Sequence, residues 1–193
     1  MAGIMPGAGA ASILAEYAQR TYVAGMSNDD LANQLGALAL ALADDMRAAA
    51  EAAACEPGPA AAALVLAGHV PNLSIAALAP AVGLSHPGAV RLVDRLVADG
   101  LMQRQPSPQD RRAVQLQLTP AGRDRAMAVQ AARTAPLRQL VAMLDPAEAR
   151  MLAGAVARLL AARVASEGDA LRLCRLCDHD RCDTCPAERA LPD

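Results

Sequence analysis

Residues 74–123 read SIAALAPAVGLSHPGAVRLVDRLVADGLMQRQPSPQDRRAVQLQLTPAGR, and this segment carries most of the information about the fold. Ser74 can cap a short helix over Ile75–Ala81, and Ser85 can cap a second helix that runs to about Asp99. The three residues Val82–Leu84 between them include a glycine. Two helices joined by such a turn are typical of a helix-turn-helix, so the sequence predicts that motif here.

A β-hairpin is predicted directly after the second of these helices. Gly100 ends the helix, and Leu101–Gln105 is predicted to be a strand. Ala113–Leu118 alternates apolar and polar residues, as a strand with one buried face does. The loop between the two strands is rich in Pro and Arg. The hairpin therefore resembles the wing of a winged helix-turn-helix.

The rest of the chain is predicted to be helical, because it is rich in alanine and only 1% of its residues are aromatic. Helices are predicted over residues 12–26, 27–55, 60–70, 119–144 and 145–168. Cys55, at the end of an alanine-rich helix, is expected to lie in the core. The predicted fold class is mainly α with a small β-hairpin wing.

The composition favours a folded protein in the cytoplasm. With 54% apolar and 20% charged residues, the chain of 193 residues can bury a sizeable core. No apolar run reaches the roughly 18 residues that a membrane-spanning helix needs, and the N-terminus lacks the basic start of a signal peptide. We therefore expect no membrane partner. The net charge of −2 argues against general binding of polyanions but leaves room for a local basic face.

The second helix of the predicted helix-turn-helix has a polar face that suits DNA. Gly88, Arg91 and Arg95 lie on that face at positions i, i+3 and i+7, with Ser85 and His86 at the start of the helix. Arginine can reach base edges or phosphates in the major groove, and the hydroxyl of Ser85 can contact the DNA backbone. Base readout is assigned to His86, Arg91 and Arg95.

The tip of the predicted wing offers a second set of contacts. Arg111 and Arg112 lie on a loop that can reach a narrow minor groove, whose negative potential attracts arginine. Asp110 is predicted to position Arg112 rather than to contact DNA.

The alternative for the recognition helix is a solvated face without a ligand. Arg91 could pair with Asp94, and Arg95 with Asp99, within the same helix. The turn, the cap and the wing occur in register with these arginines, which favours DNA binding.

This segment resembles the MarR-type bacterial transcription regulators. Their motifs appear here as VRLVDRL at 90–96, GL at 100–101, DRR at 110–112 and LTPAG at 118–122. One departure is Ala89–Val90, because family members usually place a Thr or Ser before the arginine. The loss of that polar contact leaves base readout to the three side chains named above.

The resemblance implies a function and an assembly. It implies a homodimer built from the first and last helices, here residues 1–56 and 119–168, around a winged helix-turn-helix at residues 57–118. Two recognition helices would then contact half-sites of a pseudo-palindromic operator in double-stranded DNA, about 34–36 Å apart. It also implies a repressor whose DNA binding is relieved by a small-molecule effector.

Residues 169–193 form a cysteine-rich segment, which we call the cysteine tail. Its cysteines, Cys174, Cys177, Cys182 and Cys185, form two C-x-x-C pairs. Two such pairs can close a tetrahedral site of four thiolates, and in a reducing cytosol they indicate a metal rather than disulfides. Zinc is the expected metal. Cys185–Pro186 also resembles the end of iron–sulfur ligand runs, so an iron–sulfur cluster is an alternative, as are reversible disulfides or free thiols.

Two hypotheses describe the role of the metal site. The cysteine tail is too short to form its own core, so metal binding would drive its folding and act as a structural staple. Alternatively, oxidation or metal loss would unfold it and shift the DNA-binding lobes, which would make it a sensor. An enzyme is not expected. A thiol–disulfide oxidoreductase would normally need a βαβ scaffold, and the sequence predicts none.

Overall fold

The computed structural model describes residues 25–56, 58–106, 114–181 and 185–191. Within these ranges the chain is mostly helical with one antiparallel two-stranded hairpin, which confirms the predicted fold class. The elements are α1 Asn28–Ala54, α2 Ala60–His69, α3 Ile75–Ala81, α4 His86–Ala98, β1 Met102–Pro106, β2 Val114–Leu118, α5 Pro120–Val141, α6 Pro146–Ala161, α7 Glu167–Cys174, a 3₁₀ turn His179–Arg181 and α8 Pro186–Arg189. No helix in these ranges is long and apolar enough to span a membrane.

Three sequence predictions fall outside the described residues. The predicted helix over residues 12–26 lies there except for its last two positions. The wing tip with Asp110, Arg111 and Arg112 also lies outside, as does Cys182. These residues keep the roles predicted from the sequence.

The chain divides into two units, one up to Ala41 and one from Leu42 onward. In the first unit the described part is mainly the N-terminal portion of α1, where Leu31, Leu35 and Leu38 are each about half exposed. The second unit contains the hydrophobic core and all the other elements.

The end of α1 corrects one prediction. Cys55 follows the helix with a left-handed backbone (φ 55°), and its side chain is exposed. The prediction that Cys55 lies in the core is wrong, because the chain leaves the helix there and the core is reached by Ala50 and Ala54 instead.

The helix-turn-helix forms as predicted. The hydroxyl of Ser74 accepts a hydrogen bond from the amide of Ala77 at 3.2 Å, and that of Ser85 accepts one from the amide of Gly88 at 3.3 Å. Gly83 has a φ of 73°, which only a glycine adopts at little cost, and this lets the chain reverse between α3 and α4. Buried leucines and valines of both helices pack into the main core: Leu78, Leu92, Val93 and Leu96.

The hairpin is anchored at its inner end. Met102 of β1 pairs with Leu118 of β2, and both are buried together with Leu116. The amide of Leu116 also donates to the carbonyl of Leu73 at 2.8 Å, which ties β2 to the segment before α3. The predicted apolar face holds for Leu116 and Leu118. Val114, at the outer end, is 46% exposed because it lies beyond the core.

The C-terminal helices α5 and α6 begin where the sequence predicts, but α6 ends earlier than predicted. Asp145 and Glu148 form a reciprocal capping box at the start of α6, where the sequence predicts a helix to begin. The helix ends at Ala161 rather than at Gly168, because the hydroxyl of Ser166 accepts from the amide of Asp169 and starts a new helix, α7. Gly168 therefore lies inside α7.

Candidate nucleic-acid interface and cysteine tail

The recognition helix α4 separates its apolar and polar residues cleanly. Ala89, Leu92, Val93 and Leu96 are buried. Ser85 and His86 at its start, and Arg91 and Arg95 along it, are exposed, while Gly88 is partly buried. The structure therefore brings the predicted DNA-contacting residues of this helix together on the side turned away from the core.

The ion pairs of α4 differ from the pairs of Arg91 with Asp94 and of Arg95 with Asp99 that helical spacing allows. Arg95 Nε lies 3.2 Å from the carboxylate of Glu56, and Arg104 Nη1 of β1 lies 2.7 Å from that of Asp94. Arg104 thus holds Asp94, and Arg91 forms no ion pair with any residue in the described part of the chain. Arg91 is available to a ligand, whereas Arg95 is tethered at 48% side-chain exposure.

A junction that the sequence does not predict holds the recognition helix, the hairpin and α5 together. The hydroxyl of Thr119 donates to the carbonyl of Gly100 at 2.6 Å and accepts from the amide of Gly122 at 3.0 Å. A Cβ atom at Gly122 would lie 1.9 Å from the carbonyl oxygen of Leu101. This contact joins the end of α4, the start of the hairpin and the first turn of α5. The feature of the sequence that corresponds to this junction is the LTPAG motif, because its glycine, Gly122, lets α5 approach the backbone of Leu101 closely.

The wing tip continues from the outer end of the hairpin. Pro106 and Val114 are paired across the two strands, so residues 107–113 connect neighbouring strand ends. The roles of Asp110, Arg111 and Arg112 stay predictions because these residues lie outside the described ranges.

Three of the four tail cysteines are described, and none of the three forms a disulfide. Cys174 and Cys185 are buried in a small cluster with Val164 and Ala187, and Cys177 packs against it. A hydrogen bond from the thiol of Cys174, aided by the positive charges of Arg133 and His179, lowers the pKa of Cys177 to about 6 despite its burial. The same hydrogen bond and burial raise the pKa of Cys174. The two thiols therefore differ in their readiness to become thiolates.

A complete metal site is not visible in the residues that the structure describes. Among them, no three His, Cys, Asp or Glu side chains converge as a metal ion requires. Cys182, which the sequence predicts as the fourth ligand, lies outside these ranges. The metal site accordingly stays a prediction.

A cavity of about 330 Å³ lies between α2, the end of β2 and α5. Its polar lining includes His69, Arg123, Asp124, Gln130 and His179. The imidazoles of His69 and His179 stack with their centroids 3.6 Å apart, and Nδ1 of His69 lies 2.8 Å from the carbonyl of Val65. The cavity is thus bordered by both the winged-helix domain and the cysteine tail.

Comparisons with known proteins support the fold reading. Residues 59–114 match the model of the MarR family. The YusO protein from Bacillus subtilis is 23% identical with a TM-score of 0.57, covering 69% of this chain and 97% of its own. RV1404 from Mycobacterium tuberculosis is 26% identical with a TM-score of 0.58, covering 69% of this chain and 92% of its own.

A third similar structure contains DNA. It is a variant of MepR from S. aureus bound to an oligodeoxyribonucleotide, 16% identical with a TM-score of 0.50, covering 68% of this chain and 96% of its own. A search of curated proteins gave no match. The family match spans α2 to the start of β2, which is the part of the chain that contains the helix-turn-helix. Over residues 59–114 the chain is therefore similar to the MarR family, and its described part has the winged-helix fold of these solved structures.

Proposed function

We propose that the protein is a sequence-specific transcriptional repressor that binds double-stranded DNA through α4 and the wing. The observation that carries this proposal is Arg91, exposed and without an ion pair in the described residues, on a capped amphipathic helix within the part of the chain that is similar to the MarR family. The similar MepR structure is bound to an oligodeoxyribonucleotide, which supports this use of the fold. A repressor of this kind acts in the cytoplasm and is not an enzyme.

The interface residues divide by their position on α4. His86, Arg91 and Arg95 read base edges. The side chain of His86 is exposed at the N-terminus of α4, and those of Arg91 and Arg95 are exposed along the helix, where they can enter a major groove. Gly88 contributes its place in the first turn of α4, where an added Cβ would lie 3.3 Å from the hydroxyl of Ser85. Ser85 uses its hydroxyl to cap α4 and so fixes the N-terminal turn that points at the groove.

Replacing Arg112 with Ala tests the wing. Because a minor-groove or phosphate contact releases counterions, we expect weaker DNA binding and a salt slope smaller by about one unit. The measurement is a DNA titration at several salt concentrations, with a duplex selected by the wild-type protein from a random-sequence pool. Arg47→Ala is the matched control, since Arg47 is exposed and pairs with Asp44 away from α4. An unchanged slope in Arg112→Ala would contradict the wing contact.

We propose that the protein is a homodimer. No residue of α6 is buried, and Met151, Leu152 and Leu159 are each about half exposed or more. In the first unit, α1 exposes the leucines named above. Apolar side chains left exposed along a helix mark an interaction site, and a second copy of the chain would cover those of each helix. Two recognition helices on a two-fold axis would then match a pseudo-palindromic operator.

Leu159→Glu is expected to shift the protein toward monomers, because a carboxylate would be buried without a partner in the apolar contact. Sedimentation velocity over a range of concentrations measures this shift. Arg158→Glu places a carboxylate beside the apolar stripe of α6 and is expected to leave the dimer intact. Equal dissociation of the two variants would contradict a dimer contact through Leu159.

We propose a metal centre formed by Cys174, Cys177, Cys182 and Cys185. Support comes from the spacing of the two pairs and from the gathering of three of these thiols, unbridged, in one cluster. Arg133, which stabilises the thiolate of Cys177, would offset part of the negative charge of four thiolates. Zinc is the proposed metal, and an iron–sulfur cluster is the alternative. Elemental analysis and an absorption spectrum separate them, because zinc protein is colourless and a cluster is brown.

We propose that the cavity beside His69 binds a small-molecule effector. It lies between α2, which shares the main core with the helix-turn-helix, and α5, which leads to the proposed dimerisation helices. A ligand that separates these helices would change the spacing of the two DNA-binding lobes. Its polar lining suits a small molecule with hydrogen-bonding groups.

A further inference from the structure

Glu56, in the turn between α1 and α2, forms an ion pair with the recognition helix. Its carboxylate lies 3.2 Å from Nε of Arg95, and the side chain of Glu56 is 23% exposed, against 48% for Arg95. Asp94, the residue before Arg95 on α4, pairs with Arg104 of β1 instead. Arg91, one turn earlier on α4, forms no ion pair with any described residue. The two arginines of the recognition helix therefore present different charges to DNA.

The backbone that carries Glu56 is anchored. Ala54, at the end of α1, is fully buried, and its carbonyl accepts a hydrogen bond from Nη1 of Arg125 of α5 at 2.7 Å. Cys55 then turns the chain with a left-handed backbone, so Glu56 follows directly after a fixed helix end. A mostly buried carboxylate on such a backbone has fewer positions open to it than one on a surface loop. Glu56 is therefore placed to stay beside Arg95.

The ion pair changes the charge at Arg95 but leaves donors for a base. A guanidinium is planar, with Nε next to the aliphatic stem and Nη1 and Nη2 at the far end. The pair with Glu56 is made at Nε. The far end of the plane is the part of an arginine that donates two parallel hydrogen bonds to O6 and N7 of guanine. The positive charge, by contrast, is offset by the carboxylate.

Base edges and phosphates respond differently to a neutralised arginine. A base edge is uncharged and is recognised through its hydrogen-bond donors and acceptors, so the carboxylate of Glu56 costs a base contact little. A phosphate is anionic and is attracted by net positive charge, and at Arg95 it also meets that carboxylate. Contact with a base therefore gives up only part of the ion pair, whereas contact with a phosphate has to displace Glu56. An ion pair this exposed changes an equilibrium constant by up to about 5-fold.

We propose that Glu56 is a specificity-determining residue of the DNA interface. It offsets the charge of Arg95, and so it lowers the affinity for the phosphates of unrelated DNA more than the affinity for the operator, where Arg95 contacts a base. Specificity is a ratio of two affinities, and a group that weakens the wrong complex raises that ratio. Glu56 acts through Arg95 and is a positioning residue. This inference rests on the proposed function, because it requires DNA binding through α4.

The experiment replaces Glu56 with Gln, which keeps the size of the side chain and removes its charge. Fluorescence anisotropy measures the affinity for the selected duplex and for a scrambled duplex at several salt concentrations. The matched control is Asp45→Asn, which removes one negative charge from an exposed position of α1. Glu56→Gln is also combined with Arg95→Ala and compared with Arg95→Ala alone. Urea unfolding of every variant checks that the fold is retained.

In Glu56→Gln, we expect the affinity for the scrambled duplex to rise by about 5-fold. Its salt slope should steepen by about one unit, because Arg95 gains a phosphate contact and a change in stability alone would not move the slope. The affinity for the selected duplex is expected to rise by less than about 2-fold. Asp45→Asn should leave both affinities within about 2-fold of the wild type. In the Arg95→Ala background, Glu56→Gln should change neither affinity by more than about 2-fold.

Two results would overturn the role of Glu56 while DNA binding stands. One is an equal gain on both duplexes in Glu56→Gln, since the ion pair would then not distinguish phosphates from bases. The other is a gain of the same size when Arg95 is already Ala, since Glu56 would then act on DNA without Arg95. A wild-type protein that selects no duplex from the random-sequence pool would instead refute the proposed function, and the role of Glu56 with it.

Discussion

Gly122→Ala is expected to lower the free energy of unfolding by about 3 kcal/mol, near the upper end for overpacking. The added Cβ would lie 1.9 Å from the carbonyl oxygen of Leu101, which is backbone and cannot rotate away. Relief would require the first turn of α5 to move from the start of the hairpin. That movement would break the hydrogen bonds of Thr119 to Gly100 and Gly122. Urea unfolding followed by circular dichroism measures the loss.

The matched control for this prediction is Gly36→Ala. Gly36 lies within α1, is exposed, and has nothing within 4 Å of an added Cβ. Alanine has the higher helix propensity, so this variant is expected to gain about 0.8 kcal/mol. A Gly122→Ala protein as stable as the wild type would show that the junction can adjust, and would contradict the close contact.

Arg91→Ala is expected to weaken binding to the selected operator by about 1–3 kcal/mol, or about 5- to 150-fold. The guanidinium of Arg91 is exposed and pairs with none of the described residues, so the loss is a loss of DNA contact. Arg95→Ala is expected to have a smaller effect, because Arg95 already pairs with Glu56 and must give up part of that pair to reach DNA. Fluorescence anisotropy at fixed salt, with the selected duplex and a scrambled one, measures both variants.

Two comparisons make this prediction specific. Arg47→Ala removes an exposed arginine outside α4 and is expected to leave the affinity unchanged within about 2-fold. Glu56→Ala releases Arg95 and is expected to increase binding to both duplexes. If Arg91→Ala bound the operator as tightly as Arg47→Ala, base readout by α4 would be wrong.

The elements of the fold could be predicted because their signals are local. Serine and threonine caps lie three residues from the amides they bind, as at Ser85 and Gly88. The buried stripe of α4 follows helical spacing, and the alternation at Leu116 and Leu118 follows strand spacing. The arginine-bearing face of the recognition helix is therefore predictable from the sequence. The exposed position of Cys55 is not, because alanine-rich surroundings do not show where a helix leaves the core.

The helix-turn-helix, the hairpin and the face that carries Arg91 and Arg95 follow from local sequence, since each depends on residues close together in the chain. The pairing of Arg95 with Glu56 and the packing of Leu176 on the cluster around Val65 arise only when distant segments fold together. These partners are far apart in sequence, and helical spacing specifies which side of a helix is buried but not what covers it. The difference between a free and a tethered arginine, and the attachment of the cysteine tail, arise from that packing.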